Sequence, residues 1–200
     1  MTSELIDGPA GALEVAFQRP ANQPPIAFAL ICHPHPQFGG TMDNKVVQTL
    51  ARAFAELGFA TLRFNFRGVG KSEGGFDAGI GETEDAAAAL AWGQAQLGVP
   101  LPLVAAGFSF GCFVQIRLLA RSQPEQLVLV GPAVNRFEIP EVPKDTIIIH
   151  GEEDDVVPLA DVMNWARPQG LPVTVFPGAG HFFHGRLPEL KTVIKRSCRR

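Results

Sequence analysis

Ser109 stands at the centre of Gly107-Phe108-Ser109-Phe110-Gly111, and downstream of it the chain carries Asp154, Asp155, His181 and His184. A serine hydroxyl is a weak nucleophile until a neighbouring base takes its proton. Histidine does this near neutrality because its unperturbed pKa is about 6.5. A carboxylate is then needed to hold the imidazole in place and to stabilise it once it is charged. Serine, acid and histidine in that chain order are therefore a set that could transfer an acyl group. The pentapeptide follows the apolar run Leu103-Val104-Ala105-Ala106 and precedes the helix-like stretch Cys112–Ala120. In that strand–turn–helix context a serine hydroxyl is exposed on a tight turn. The flanking glycines fit because side chains there would strike the neighbouring strand and helix.

Acyl transfer also needs N–H groups aimed where negative charge develops. One is expected from Phe110, the residue after the serine. The other is expected from the loop after the third strand, where Pro34 and Pro36 have no N–H to give. His35, Gln37 and Phe38 remain, and Gln37 is taken as the donor. His33 and His35 read as loop-shaping residues or cleft wall. His181 is preferred to His184 as base because the Gly178-Ala179-Gly180 turn can aim a ring at Ser109, whereas His184 falls in the first turn of the last helix. His33, His35, His181 and His184 are also ligand types that zinc accepts. No His-Glu-x-x-His helix accompanies them and that reading leaves the serine motif unexplained, so no metal is expected.

The elements that must position these groups alternate along the chain. Strands are predicted over 4–6, 12–17, 26–31, 60–66, 103–108, 126–130, 146–149 and 173–176. Helices are predicted over 44–57, 82–97, 111–121, 159–166 and about 183–196, with Asp43 or Asn44 capping the first. Asp7-Gly8-Pro9-Ala10-Gly11 joins the first two strands as a hairpin. From Ile26 onward strand and helix alternate, which predicts an α/β fold: a mostly parallel eight-stranded sheet with helices on both faces. The polar residues collect at strand exits, where open α/β sheets place their clefts. His33 and His35 follow the third strand, Ser109 the fifth, Asp154 the seventh and His181 the eighth. Ala86–Ala89 reads as a strong helix former packed close to the sheet. Arg67–Gly74 reads as a tight connection with positive φ at Gly68 or Gly70, since it lacks the spacing of a phosphate loop.

Length and composition narrow the class. The 200 residues, without repeat or linker, are expected to form one domain over 1–200. The net charge of −3 with no basic stripe argues against nucleic acid. Cys32, Cys112 and Cys198 are an odd, scattered set, which argues for a reducing compartment rather than a disulfide framework. No signal peptide and no bilayer-spanning run is visible, so a soluble cytoplasmic protein is expected. Lys195–Arg200 is a basic tail of the ordinary solvated kind, and Cys198 stands too close to the end to be a prenylation signal.

The chain resembles the α/β-hydrolases over nearly its whole length, and within them a compact bacterial group of serine hydrolases that lack a lid. Five motifs carry the resemblance: His33–Lys45, Arg67–Gly74, Gly107–Gly111, His150–Pro158 and Gly178–Phe183. The resemblance implies Ser109 as nucleophile, His181 as base and Asp154 as orienting acid. The His-Gly-x-x-Asp-x-x-Val-Pro spacing falls on Asp154, leaving Asp155 as a surface or capping residue. It implies no metal and no organic cofactor. Where many relatives insert a helical cap, only Gly131–Asp145 is available, interrupted by Pro132, Pro140 and Pro143, so no cap domain is expected. An open cleft bounded by Phe38, Phe108, Phe110 and Phe182 would suit a small-molecule ester as substrate. An amidase, thioesterase or peptidase would use the same parts, and a non-catalytic binding protein could retain the scaffold.

Overall fold

The computed structural model describes residues 3–198; Arg199 and Arg200 of the basic tail lie outside them, as do Met1 and Thr2. Eight strands and five α-helices follow one another as β1 (Glu4–Gly8), β2 (Gly11–Gln18), β3 (Phe28–Cys32), α1 (Lys45–Glu56), β4 (Ala60–Phe64), α2 (Ile80–Leu97), β5 (Leu103–Phe108), α3 (Phe110–Leu118), β6 (Gln126–Val130), β7 (Ile147–Gly151), α4 (Leu159–Gln169), β8 (Val173–Phe176) and α5 (Leu187–Ser197). The strands form one sheet in the order β1-β2-β4-β3-β5-β6-β7-β8. β1 and β2 are an antiparallel hairpin and β2 meets β4 antiparallel, while every pairing from β4 to β8 is parallel.

Every residue of β3, β4 and β5 is buried, as expected of parallel strands covered on both faces. Successive side chains alternate between two cores. Ile31, Val104 and Ile149 point toward Leu50 and Phe54 of α1 and Leu190 and Ile194 of α5. Leu30 and Leu62 point toward Ala86 and Ala89 of α2 and Val114 of α3, and Ile148 toward Val162 of α4. The alanine run does pack close to the sheet: beside it, a Cβ on Gly93 would come within 2.4 Å of the Phe28 ring.

The chain leaves β3 for β4 on one side and returns to β5 on the other. The sheet order therefore reverses between β3 and β5, which is where a doubly wound sheet opens a crevice. Asn44 caps α1, its side chain accepting the Val46 N–H at 2.9 Å. The 67–74 connection takes positive φ at both Gly68 and Gly70. The last helix starts at Leu187 rather than near Phe183. Phe183 and Gly185 both have positive φ, and Pro188 sits in the first turn, so a helix cannot begin earlier. Residues 131–146 between β6 and β7 hold no helix, so nothing of cap size stands over the strand exits. No helix of the described residues is long and apolar enough to cross a membrane.

Candidate active site

Ser109 links β5 to α3 with φ 54° and ψ −116°, a conformation that costs a non-glycine residue strain of about 1–3 kcal/mol. The turn survives because it is over-determined. The Ser109 N–H donates to Val130 O on β6 at 2.9 Å, continuing the β5–β6 ladder. A Cβ on Gly107 would lie 2.5 Å from the Cys112 backbone, and one on Gly111 would lie 2.3 Å from Cys32 O. Both flanking positions are thus closed to any side chain, which is the reason the pentapeptide has its form. Cys112 packs beneath, donating its thiol to Gly107 O at 3.2 Å, and burial pushes that thiol's pKa far up.

Ser109 Oγ lies 3.1 Å from His181 Nε2, and His181 Nδ1 lies 2.7 Å from Asp154 Oδ2. A carboxylate beside Nδ1 holds the ring proton there and leaves Nε2 free to accept from the serine hydroxyl. Asp154 is itself fixed: its Oδ1 accepts from Val156 N at 3.0 Å and Val157 N at 2.7 Å. Burial pushes the Asp154 carboxyl pKa up, but the hydrogen bonds from His181 and Val157 outweigh that, and the net shift is downward. The carboxylate is therefore ionised at neutral pH. Asp155, the alternative, is exposed.

The two loops carrying Asp154 and His181 are sewn together through their backbones. Glu152 N donates to Phe176 O at 3.0 Å and Glu153 N to Ala179 O at 2.9 Å. Gly151 permits this approach, since a Cβ there would lie 2.3 Å from Ala179 O. His184 is exposed on a turn ahead of α5 and does not join the Ser109–His181–Asp154 chain. The four histidines considered as zinc ligands are not assembled, and among the described residues no group of His, Cys, Asp and Glu forms a metal cluster.

Gln37 is not where the sequence reading put it. Its N–H donates to His35 Nδ1 at 3.2 Å within a short 3-10 turn, and the residue does not line the cleft. Phe38 N is likewise committed, to His35 O at 3.1 Å. The His35 N–H has no acceptor among the described residues, and His35 does line the cleft. The proline-broken turn folds back on His35, which is why the donors after it are consumed. Phe110 opens α3, so its N–H is among those a helix leaves unpaired.

The cleft has a volume of about 280 Å³. Phe38, Phe110 and Phe182 line it as expected, but Phe108 does not. Phe108 is fully buried behind the histidine, its ring centroid 5.0 Å from that of His181. Its place in the wall is taken by Phe137 from the β6–β7 segment, whose ring centroid lies 5.4 Å from that of Phe110.

Two histidines hold the frame without joining the chain. His33 is fully buried; its Nδ1 lies 2.6 Å from Pro34 O and its Nε2 accepts from Phe66 N at 3.0 Å, tying the β3 exit to the β4 exit. In the sequence His150 stands out only as part of a motif. Its buried ring donates from Nε2 to Val157 O at 2.8 Å and lies 3.4 Å from Asp154 Oδ2. The signal was a histidine ending the apolar run Thr146–Ile149. A polar set that periodicity hid supports the β3–α1 loop: Glu14 Oε2 accepts from Asn65 Nδ2 at 2.8 Å, and Asn65 Oδ1 accepts from Met42 N at 2.8 Å.

His33 gives a testable pH dependence. Burial lowers its pKa from 6.5 to about 3, partly offset by Pro34 O. The unfolded chain takes up this proton near pH 6.5, while the folded ring refuses it until about pH 3. The folded state thus binds fewer protons in that window, and stability falls as pH drops, by about 1.4 kcal/mol per pH unit for one such group. Burial lowers the His150 pKa as well, so it acts in the same direction. Urea unfolding at pH 7, 5 and 4 is expected to give a steeper acid slope for the wild type than for His33→Gln, whatever their absolute stabilities. Equal slopes would remove His33 as the source.

A strained serine at the strand-to-helix turn, on an eight-stranded and mostly parallel sheet with no cap, defines the class of lidless α/β serine hydrolases. Residues 7–141 match the model of the X-Pro dipeptidyl-peptidase (S15 family), an α/β-hydrolase family, and the chain belongs to it. The fold is similar to that of an alpha-beta serine hydrolase homologue from Coxiella burnetii, with 42% identity, a TM-score of 0.92 and coverage of 98% of this chain and 97% of that one. A serine hydrolase without lid from Xanthomonas campestris is 36% identical with a TM-score of 0.91, covering 100% of this chain and 94% of that one. An uncharacterised protein of Rickettsia prowazekii (strain Madrid E) is 33% identical over 97% of this chain and 87% of its own length.

Proposed function

We propose that the chain hydrolyses a small carboxylic ester through an acyl-enzyme on Ser109, with His181 as base and Asp154 as the acid that orients it. The observation that carries this reading is the pair of distances at His181, 3.1 Å to Ser109 Oγ and 2.7 Å to Asp154 Oδ2. In the first half-reaction Ser109 Oγ attacks the ester carbonyl while its proton passes to His181 Nε2. The N–H groups of Phe110 and His35 receive the developing oxyanion, His35 replacing Gln37 in that role. The intermediate collapses, the alcohol leaves with the proton from His181, and the acyl group remains on Ser109. Water then attacks the acyl carbon with His181 again taking the proton, and the acid is released as the serine recovers its hydrogen.

The family match favours a peptidase as the second reading. A dipeptidyl-peptidase substrate carries a free α-ammonium close to the scissile bond, and a carboxylate is its natural partner. Among the described residues the cleft has no Asp or Glu in its lining, while its walls are largely aromatic, so the ester reading is preferred. Fluorophosphonate treatment followed by peptide mapping is expected to place a covalent label on Ser109, together with turnover of short 4-nitrophenyl esters. An unlabelled serine and an inert panel of acyl substrates would leave a non-catalytic scaffold instead.

A further inference from the structure

We propose that Arg136 selects, at the Ser109 cleft, esters that carry a carboxylate on one half of the molecule. This rests on the ester-hydrolase reading and narrows its substrate class. The cleft wall is apolar or aromatic almost throughout, with Ala133, Phe137, Val156 and Phe182 among its members. Arg136 is its one permanently charged side chain among the described residues. Arg136 is exposed on the wall of the cleft. Here Glu138 and Glu141 lie nearby in sequence, yet the Arg136 guanidinium has no ion pair or hydrogen bond among the described residues.

The backbone that carries it is held in place. Arg136 N donates to Ala133 O at 3.2 Å, and the next residue, Phe137, stacks on Phe113 with ring centroids 4.4 Å apart and planes 16° from parallel. The charge is also felt inside the cleft: His35 has its pKa lowered first by burial and then by Arg136. Arg136, His35 and Ser109 line the same cleft. A planar guanidinium with five donors matches a carboxylate bidentately, and aromatic walls accept the stem between that carboxylate and the ester. The same charge repels a substrate ammonium.

The test has a kinetic and a binding arm. Wild type, Arg136→Ala, Arg136→Lys and Arg136→Glu are compared on 4-nitrophenyl butyrate, on mono-4-nitrophenyl glutarate with its carboxylate on the acyl side, and on 4-acetoxybenzoate with its carboxylate on the alcohol side. In Arg136→Ala, kcat/KM for one of the two anionic esters, relative to the neutral one, is expected to fall about tenfold through KM. Arg136→Glu should fall further and Arg136→Lys should retain part of the preference, and the ester affected identifies the half that carries the anion. Ratios that stay at the wild-type value for both anionic esters overturn the proposal. NMR titration of Ser109→Ala protein with 4-phenylbutyrate and 4-phenylbutyramide needs no turnover. The carboxylate is expected to bind more tightly than the amide, and the added Arg136→Ala change to abolish the difference. If it does so while the wild type neither hydrolyses esters nor takes the fluorophosphonate label, the hydrolase reading fails and Arg136 remains an anion site. If the acid and amide bind alike, Arg136 is not one.

Discussion

Ser109→Ala is expected to lower kcat for a short aryl ester by about 10⁴-fold or more, and His181→Ala by a similar factor. The double variant is expected to be no slower than either single one. Ser109 Oγ and His181 Nε2 are 3.1 Å apart, and neither does the work without the other: the hydroxyl needs its proton removed, and the base has nothing else to activate for acylation. Losses that act as a unit do not add. The residual rate over water, about 10³-fold, would come from the Phe110 and His35 N–H groups and from binding in the aromatic cleft. Thermal melting of the three proteins checks that the fold persists. Alanine at position 109 must still adopt φ 54°, so no stability gain from relieved strain is expected. If the two single losses multiply in the double variant, the residues act independently and the relay is wrong.

Much of the site could be read in the sequence because its chemistry is tied to local geometry. Ser109 needs small neighbours on both sides, so its turn is written into five consecutive letters. His181 follows a glycine turn at a strand exit, and Asp154 follows a strand ending at Gly151. The parallel core was equally visible, since strands buried on both faces read as continuous apolar runs. What escaped depends on how a loop closes in space. Gln37 looked like a free donor because the sequence cannot show that the turn after Pro36 folds its N–H onto His35 Nδ1. Phe108 looked like cleft wall, but strand alternation turns its ring beneath His181, and the wall falls to Phe137, far along the chain. Leu187 rather than Phe183 begins the last helix because of a positive φ at Phe183, which no propensity scale assigns to phenylalanine. The pairing of Glu14 with Asn65 joins residues 51 apart and has no periodic signature.

Asp154→Asn is expected to cost about 10⁴-fold in kcat with little change in KM, and the reason lies in which atoms surround the carboxylate. Oδ1 accepts two N–H groups, from Val156 and Val157, and an asparagine can satisfy them only by placing its carbonyl oxygen there. Its amide nitrogen then faces His181 Nδ1, a donor where the aspartate offered an acceptor. The imidazole must carry its proton on Nε2 instead, pointing at Ser109 Oγ, and cannot accept the hydroxyl proton. Both valine N–H groups keep their partner, so thermal stability should move far less than the rate. The fluorophosphonate reaction, which needs the same proton transfer, should slow in parallel. Asp155→Asn is the control: that side chain is exposed, outside the hydrogen-bond chain, and its change should leave kcat near the wild-type value. If Asp154→Asn kept its rate while losing stability, Asp154 would be a loop anchor for Val156 and Val157 rather than the group that sets the His181 proton.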